Sequence, residues 1–321
     1  MRAPAFWDGG ESWAATALAP ASWAWQVAHR VRWATTTPHR VQVPVVCIGN
    51  LVAGGAGKTP IAMTVAGRLL AAGKRAQFVT RGYGGSARGP LQVKTHHTAV
   101  AVGDEALLLA AVAPTIISDD RYAGARMAVA MGANLVVFDD GFQNPTIAKD
   151  VSLLVVDTAY GFGNGRTMPA GPLRESAAFG LARASALVLL GDGEWPGPPT
   201  SIPMLRAALI PTADSAAKVR EQRVVAFAGI GRPRKFFDTL RSLGCTLVAD
   251  HSFGDHHAFS PGELQALQAE ARAAEAVLVT TRKDCVRIPP AHRTGIEVLD
   301  VTATFADVGA LDAVLQPALR K

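Results

Sequence analysis

Cysteine is scarce: the three present, Cys47, Cys245 and Cys285, stand far apart with no Cys-x-x-Cys pair. That count and spacing fit neither a disulfide framework nor a zinc site, and a reducing compartment follows. Long apolar runs are missing too, since none approaches the ~20 residues a transmembrane helix needs. Charged residues are only 18% of the chain, and Gly and Pro are scattered, so neither disorder nor an internal repeat is expected. A secretory leader is disfavoured, because Arg2 is the sole early positive charge, Asp8 and Glu11 follow it, and Pro20 interrupts the apolar stretch. No basic-aromatic sheet motif or helix-turn-helix signature argues for nucleic acid.

What is present is a long, apolar chain of 321 residues, 49% hydrophobic, enough for two domains with separate cores. A net charge of +6 suits anionic partners without choosing among nucleotides, nucleic acid and acidic lipid. Five of the six tryptophans fall early, at Trp7, Trp13, Trp23, Trp25 and Trp33, among His29, Arg30, Arg32, His39 and Arg40. Such a mixture suits a membrane interface, where the indole ring is buried and its N–H stays wet. The rings can equally cap the main core. Pro20 should split or bend any helix through this segment.

From Val41 short β-branched runs alternate with Ala/Leu-rich stretches, which predicts an α/β fold, a mostly parallel sheet with flanking helices. Strands are expected at Val43–Ile48, Gln77–Thr80, Thr115–Ser118, Leu135–Phe138, Ser152–Val156 and Ala186–Leu190, with helices over Thr59–Ala72, Asp104–Ala113 and Ala123–Met131. The run Gly191–Pro199 is dense in breakers and reads as a linker. A second series follows, with strands Val224–Ala228, Thr246–Ala249, Val277–Thr280 and Glu297–Val301 and helices Arg234–Leu243 and Pro261–Glu275. The expected division is a first domain over 1–200, its segment 1–40 rich in Trp and Arg, and a smaller α/β domain over 201–321.

The strand at Val43–Ile48 runs into Val52-Ala53-Gly54-Gly55-Ala56-Gly57-Lys58-Thr59, and a helix begins at Lys-Thr. That is the setting of a P-loop: inward-turned backbone N–H groups cradle phosphates, Lys58 reaches the β/γ-phosphates of ATP, and Thr59 meets Mg²⁺. Val52 stands where the strict pattern has glycine, and Gly54 and Gly55 take over the tight turning. A P-loop enzyme also needs a metal carboxylate at a strand end, and Leu135-Val136-Val137-Phe138-Asp139-Asp140-Gly141 supplies Asp139 and Asp140 at the carboxyl edge where α/β sheets bind ligands. The fold expected is P-loop NTPase-like.

Ala53 replaces the signature lysine of partition-type ATPases, and Thr281-Arg282-Lys283-Asp284 lacks the lysine spacing of a guanine-reading motif. The run from Ile48 to Pro60 resembles instead the tetraacyldisaccharide 4′-kinase family, the lipid A 4′-kinases of Gram-negative bacteria. The likeness extends over nearly the whole chain, through Arg81-Gly82-Tyr83-Gly84, Gly103-Asp104-Glu105, Asp120-Arg121, Asp139-Asp140-Gly141-Phe142-Gln143, Gly171-Pro172-Leu173-Arg174-Glu175, Ala228-Gly229-Ile230-Gly231 and Phe253-x-Asp255-His256. As an ordered set these are highly specific. The sequence departs from the pattern at Asn144, where His is frequent, and at Arg282, where Glu is common.

The resemblance implies transfer of the ATP γ-phosphate to the 4′-hydroxyl of a lipid disaccharide 1-phosphate at the anionic cytoplasmic face of the inner membrane, with the tryptophan-rich start as a peripheral membrane segment. It also implies that Asp104, at a helix start where aspartate commonly caps, pairs with His256 as the base for the acceptor hydroxyl. His256 is favoured over His257 by the family pattern alone, and adjacent histidines rarely share a metal. Glu175 can complete the Mg²⁺ shell, and Arg174 can meet phosphate, although a surface Arg-Glu pair at a helix start is the plainer reading. Tyr83 and Arg121 are weaker candidates for substrate. The competing expectation is a membrane-docked ATPase or GTPase switch, which hydrolyses nucleotide without lipid. Oligomeric state is not legible.

Overall fold

The computed structural model describes residues 4–9 and 12–320, so Arg2 and Glu11 lie outside the described residues. Among the described residues thirteen strands form two sheets. In chain order they are β1 (Val45–Gly49), β2 (Ala76–Thr80), β3 (Leu91–Gln92), β4 (Thr115–Ile117), β5 (Leu135–Asp139), β6 (Val151–Asp157), β7 (Ala186–Leu190), β8 (Met204–Pro211), β9 (Arg223–Ala228), β10 (Thr246–Ser252), β11 (Val277–Thr281), β12 (Ile296–Leu299) and β13 (Val301–Phe305). The larger sheet has nine strands in the order β13-β8-β7-β6-β1-β5-β2-β4-β3, antiparallel only at its two outer pairs. The smaller has four parallel strands in the order β10-β9-β11-β12.

The central strands are continuous apolar runs because helices cover both faces of the large sheet. On one face the helix Lys58–Ala71 buries Ile61, Val65 and Leu69 at successive turns, each large side chain stabilising by roughly 1.5–3 kcal/mol. The terminal helix Val308–Leu319 adds Leu311 and Leu315 to the same layer. The opposite face packs Phe138 and Phe142 with Ala125 and Ala128 of the helix Arg121–Ala130. The small sheet is sandwiched likewise, by Phe236, Phe237 and Leu240 on one side and Leu264, Leu267 and Ala271 on the other.

The chain crosses between the sheets more often than a single linker suggests. Gly191–Pro199 is irregular, as its breakers require, yet it joins β7 to β8, parallel neighbours in the large sheet. The expected strand over Glu297–Val301 is split at Asp300: β12 completes the small sheet, and β13 returns to pair antiparallel with β8. Residues 201–321 are therefore shared between the sheets, and the compact second unit comprises β9 to β12 with their helices.

The N-terminal segment forms helices Trp13–Ala17 and Ala19–Thr35, broken where Pro20 opens the second at its first turn, the one place proline suits a helix. Trp13 and Trp23 are 85% and 69% exposed, and Trp25, Val27 and Val31 are exposed beside them. These rings do not cap the core. Trp33 and Trp7 are half-buried against the body, Trp33 with the Arg183 guanidinium 4.2 Å from its ring centroid and Trp7 with its indole N–H donating to Pro169 O at 3.1 Å.

Candidate active site

The site lies along the carboxyl edge of the large sheet. After β1 the chain loops through residues 50–57 into the helix that starts at Lys58. Gly57 is its N-cap at φ +78, and a Cβ there would stand 2.3 Å from Leu190 Cδ2, so a side chain at this position is strained and must displace Leu190. The root of the loop is braced from outside: Val52 bridges Leu173, and the Ala53 N–H donates to Pro172 O at 2.8 Å. Those two residues are thus tied to structure, while Gly54 and Gly55 are exposed at the tip.

Lys58 is buried with Nζ 3.7 Å from Asp140 Oδ1. The Thr59 hydroxyl donates to Asp139 Oδ2 at 2.9 Å, whereas Asp139 Oδ1 is buried without a hydrogen-bond partner. Burial, with Glu105 nearby, pushes the Asp139 carboxyl up to about 7 despite Lys58. A buried carboxylate with one unsatisfied oxygen next to a threonine hydroxyl is a site in want of a cation, so Thr59 and Asp139 fit Mg²⁺. Among the described residues no three His, Cys, Asp or Glu side chains converge to hold a metal unaided, which suits an ion that keeps waters and takes phosphate ligands. Asp140 differs. Burial alone raises its pKa, but Lys58 and Arg174 outweigh it and hold the carboxyl well below the usual range. It sits at φ +57, a strained backbone next to the reactive groups.

Arg174 and Glu175 are placed differently from one another. The Arg174 side chain donates to Asp140 Oδ1 at 2.7 Å, so it lies at the phosphate end of the site. Glu175, expected at the metal, is saturated elsewhere: Oε1 accepts from Gln143 at 3.0 Å, and Oε2 meets Arg183 at 2.5 Å and His29 at 3.2 Å. Arg121 is buried, donating to Ser118 O at 2.6 Å and lying 3.5 Å from Asp140 O, where it supports that strained turn rather than facing solvent.

The second unit closes on the same edge. Asp104 is 2% exposed at the start of the helix Asp104–Ala110, whose N-cap is Gly103. Its Oδ1 accepts the Glu105 N–H at 2.9 Å, a local contact within the first turn, and its Oδ2 faces His256 Nδ1 at 2.9 Å. His256 is at φ +60 after β10, and the exposed Tyr83 ring sits 5.4 Å from the imidazole. His257 turns away, bonded to Glu263 at 3.0 Å and stacked on Phe253. Gly231, in the loop after β9, has its would-be Cβ 3.6 Å from Gly55 N, so the two units also meet at the phosphate loop.

Two cations escaped sequence reasoning. Arg287 Nε lies 3.3 Å from Asp104 Oδ2, and Lys283 Nζ lies 4.0 Å from the same oxygen and 3.4 Å from Glu105. Burial resists ionisation of Asp104, but the His256 hydrogen bond and these cations outweigh it, holding its pKa below the ordinary carboxylate value. Lys283 belongs to the Arg-Lys-Asp run, so only its proximity was hidden; Arg287 had no motif. The two departures from the family pattern have plain structural roles. Asn144 accepts from Thr146 N–H at 2.8 Å to shape a turn, and Arg282 pairs with Asp300 at 2.8 Å.

The arrangement can bind a nucleotide's phosphates at Lys58, hold a metal at Thr59 and Asp139, and keep an ionised carboxylate ready for an acceptor's proton. Known proteins resemble the chain over nearly its whole length. A family model described as tetraacyldisaccharide-1-P 4′-kinase matches residues 14–320. The tetraacyldisaccharide 4′-kinase of Rhodospirillum centenum is 50% identical over 99% of this chain and 97% of that protein. That of Gluconacetobacter diazotrophicus is 50% identical over 100% and 99%. The apo form of LpxK from Aquifex aeolicus, solved in complex with ATP, superposes with a TM-score of 0.77 at 25% identity, covering 95% of this chain and 99% of that one.

Proposed function

Because the chain belongs to the tetraacyldisaccharide-1-P 4′-kinase family, we propose that this edge transfers the γ-phosphate of ATP to the 4′-hydroxyl of tetraacyldisaccharide 1-phosphate, with Asp104 accepting the hydroxyl proton. The protein is an ATP-dependent lipid kinase of lipid A biosynthesis. The observation that carries the assignment of roles is the 2.9 Å contact between Asp104 and His256 across the two units. A hydrolytic switch needs no base for an acceptor, and that alternative is disfavoured.

Lys58 neutralises charge on the transferring group, helped by Arg174 through its grip on Asp140. Thr59 and Asp139 would hold Mg²⁺, which when bound would supply charge neutralisation on the phosphate oxygens. Asp104 is a weak base by its lowered pKa, but it is always ionised at neutral pH. In a loose phosphoryl transfer the attacking hydroxyl loses its proton late, so positioning matters more than basicity. His256 orients the carboxylate through the 2.9 Å contact and favours its ionised form. Tyr83, exposed beside His256, is set to contact the sugar.

The exposed apolar face of the N-terminal helix supports peripheral seating on an anionic membrane, bringing the acceptor headgroup to the cleft. No helix among the described residues is long and apolar enough to cross a membrane. The test incubates the protein with ATP, Mg²⁺ and the disaccharide lipid, then repeats it with Asp104→Ala and His256→Ala. Undiminished lipid phosphorylation by either variant contradicts the assigned roles.

A further inference from the structure

The helix Ala19–Thr35 is amphipathic in an inverted sense. Its docked stripe is polar at Ser22, Gln26 and His29 and ends on Trp33, and Trp23, Val27 and Val31 face outward. Ser22 and Gln26 bond Thr167, at 2.7 Å to its carbonyl and 3.0 Å to its hydroxyl, which fastens the helix to the body. The Ala170 N–H also donates to Ser22 Oγ at 3.0 Å, and two further polar contacts go elsewhere. The Trp25 indole N–H donates to Arg174 O at 2.8 Å, and one turn later His29 Nε2 meets Glu175 Oε2 at 3.2 Å.

Both contacts lead to the root of the phosphate loop. The Arg174 N–H donates to Leu51 O at 2.7 Å, and its guanidinium donates to Asp140 Oδ1, the oxygen that faces Lys58. Glu175 Oε1 accepts from Gln143 Nε2, which also donates to Asn50 O at 2.8 Å. Two adjacent carbonyls, Asn50 and Leu51, are therefore held by two routes, one from Trp25 through the Arg174 backbone and one from His29 through the Glu175 and Gln143 side chains.

We infer that Trp25 and His29 are positioning residues: they fix Arg174 and Glu175, and through them the phosphate loop and Asp140, so that seating of the surface helix and nucleotide binding are coupled. The inference rests on the phosphotransfer reading above. A helix serving only as an adhesive patch would need the Thr167 contacts and the outward rings, and nothing at 174–175.

Four variants of the full chain separate these cases: Trp25→Phe, which keeps the ring and loses the N–H; His29→Leu; His29→Gln, which keeps a polar partner for Glu175; and Gln26→Leu, which loosens only the Thr167 anchor. Affinity for Mg-ATP without lipid is measured alongside kcat/KM for ATP with detergent-dispersed tetraacyldisaccharide 1-phosphate. Trp25→Phe and His29→Leu are expected to weaken both about 5- to 10-fold, the effect of one lost hydrogen bond, with melting temperature near that of the parent. His29→Gln should recover most of the loss, and Gln26→Leu should match the parent. Parental ATP affinity in both Trp25→Phe and His29→Leu, or an equal loss in Gln26→Leu, overturns the inference. Failure of the parent to phosphorylate lipid would strike the proposed function instead, leaving the ATP-affinity arm to judge the coupling.

Discussion

Replacing Asp104 by Asn removes the proposed base while keeping the side chain's shape, and the structure indicates what else it costs. Oδ2 of Asp104 faces His256 at 2.9 Å and Arg287 at 3.3 Å. Removing one member of a buried ion pair commonly costs about 3–5 kcal/mol, because the partner is left uncompensated. Arg287 is not left so: its Nη2 keeps Asp284 at 2.8 Å and Gly229 O at 2.9 Å, and Lys283 keeps Glu105. The loss of stability should therefore fall nearer that of one charge-assisted hydrogen bond, about 2 kcal/mol. Loss of a positioned base lowers the rate about 10²–10⁴-fold. Steady-state kinetics should show kcat reduced by that factor with ATP binding intact and a cooperative melt. Adding His256→Ala should cost little more, because the two act as one unit. A kcat within tenfold of the parent in folded Asp104→Asn protein would refute the role, and so would full additivity in the double variant.

Gly57→Ala forces φ +78 on a residue with a Cβ and drives that atom against Leu190; destabilisation of about 2–4 kcal/mol is expected, read as a lowered melting temperature and loss of ATP binding. The folded pKa of Asp139, about 7, lies above the ordinary aspartate value of 3.8, so between those values the folded protein keeps a proton that the unfolded chain releases. Metal-free stability from this group therefore falls as pH rises from about 4 to about 7 and stays low above it. Asp139→Asn should gain melting temperature relative to the parent at pH 8 and not at pH 4, without Mg²⁺; an equal difference at both contradicts the burial argument. Trp13→Ser with Trp23→Ser should weaken binding to anionic vesicles about tenfold or more, given two exposed aromatic rings, and leave ATP affinity unchanged; retained vesicle binding removes the membrane reading of that face.

The parts of the fold visible in sequence were those fixed locally. Buried central strands such as Val45–Gly49 and Leu135–Asp139 are short apolar runs with a Gly or Asp at the functional edge, and no competing pattern obscures them. The β8–β13 pair was not visible, because membership of a sheet is decided by partners distant in sequence, and Met204–Pro211 is interrupted by Arg206 and ends on a proline. The boundary at Asp300 was hidden for the same reason: one short stretch serves two sheets. In the site, Lys58, Thr59 and Asp139 were legible through spacing, since a helix N-terminus and a strand end set their geometry. Asp104 was legible only by likeness, because aspartate at a helix start is ordinary, and it does take the Glu105 N–H. Arg287 and the His29–Glu175 contact could not be read, as 183 and 146 residues separate the partners and no motif spans them.

The central claim is that phosphate leaves ATP at Lys58 for a sugar hydroxyl addressed by Asp104. Its most direct test supplies γ-labelled ATP and Mg²⁺ to the purified protein with tetraacyldisaccharide 1-phosphate, and locates the label by chemical degradation of the lipid. Label on the 4′-oxygen, abolished in Lys58→Ala and reduced in Asp104→Asn, is the predicted result. Label released only as inorganic phosphate, at a rate indifferent to lipid, would contradict it.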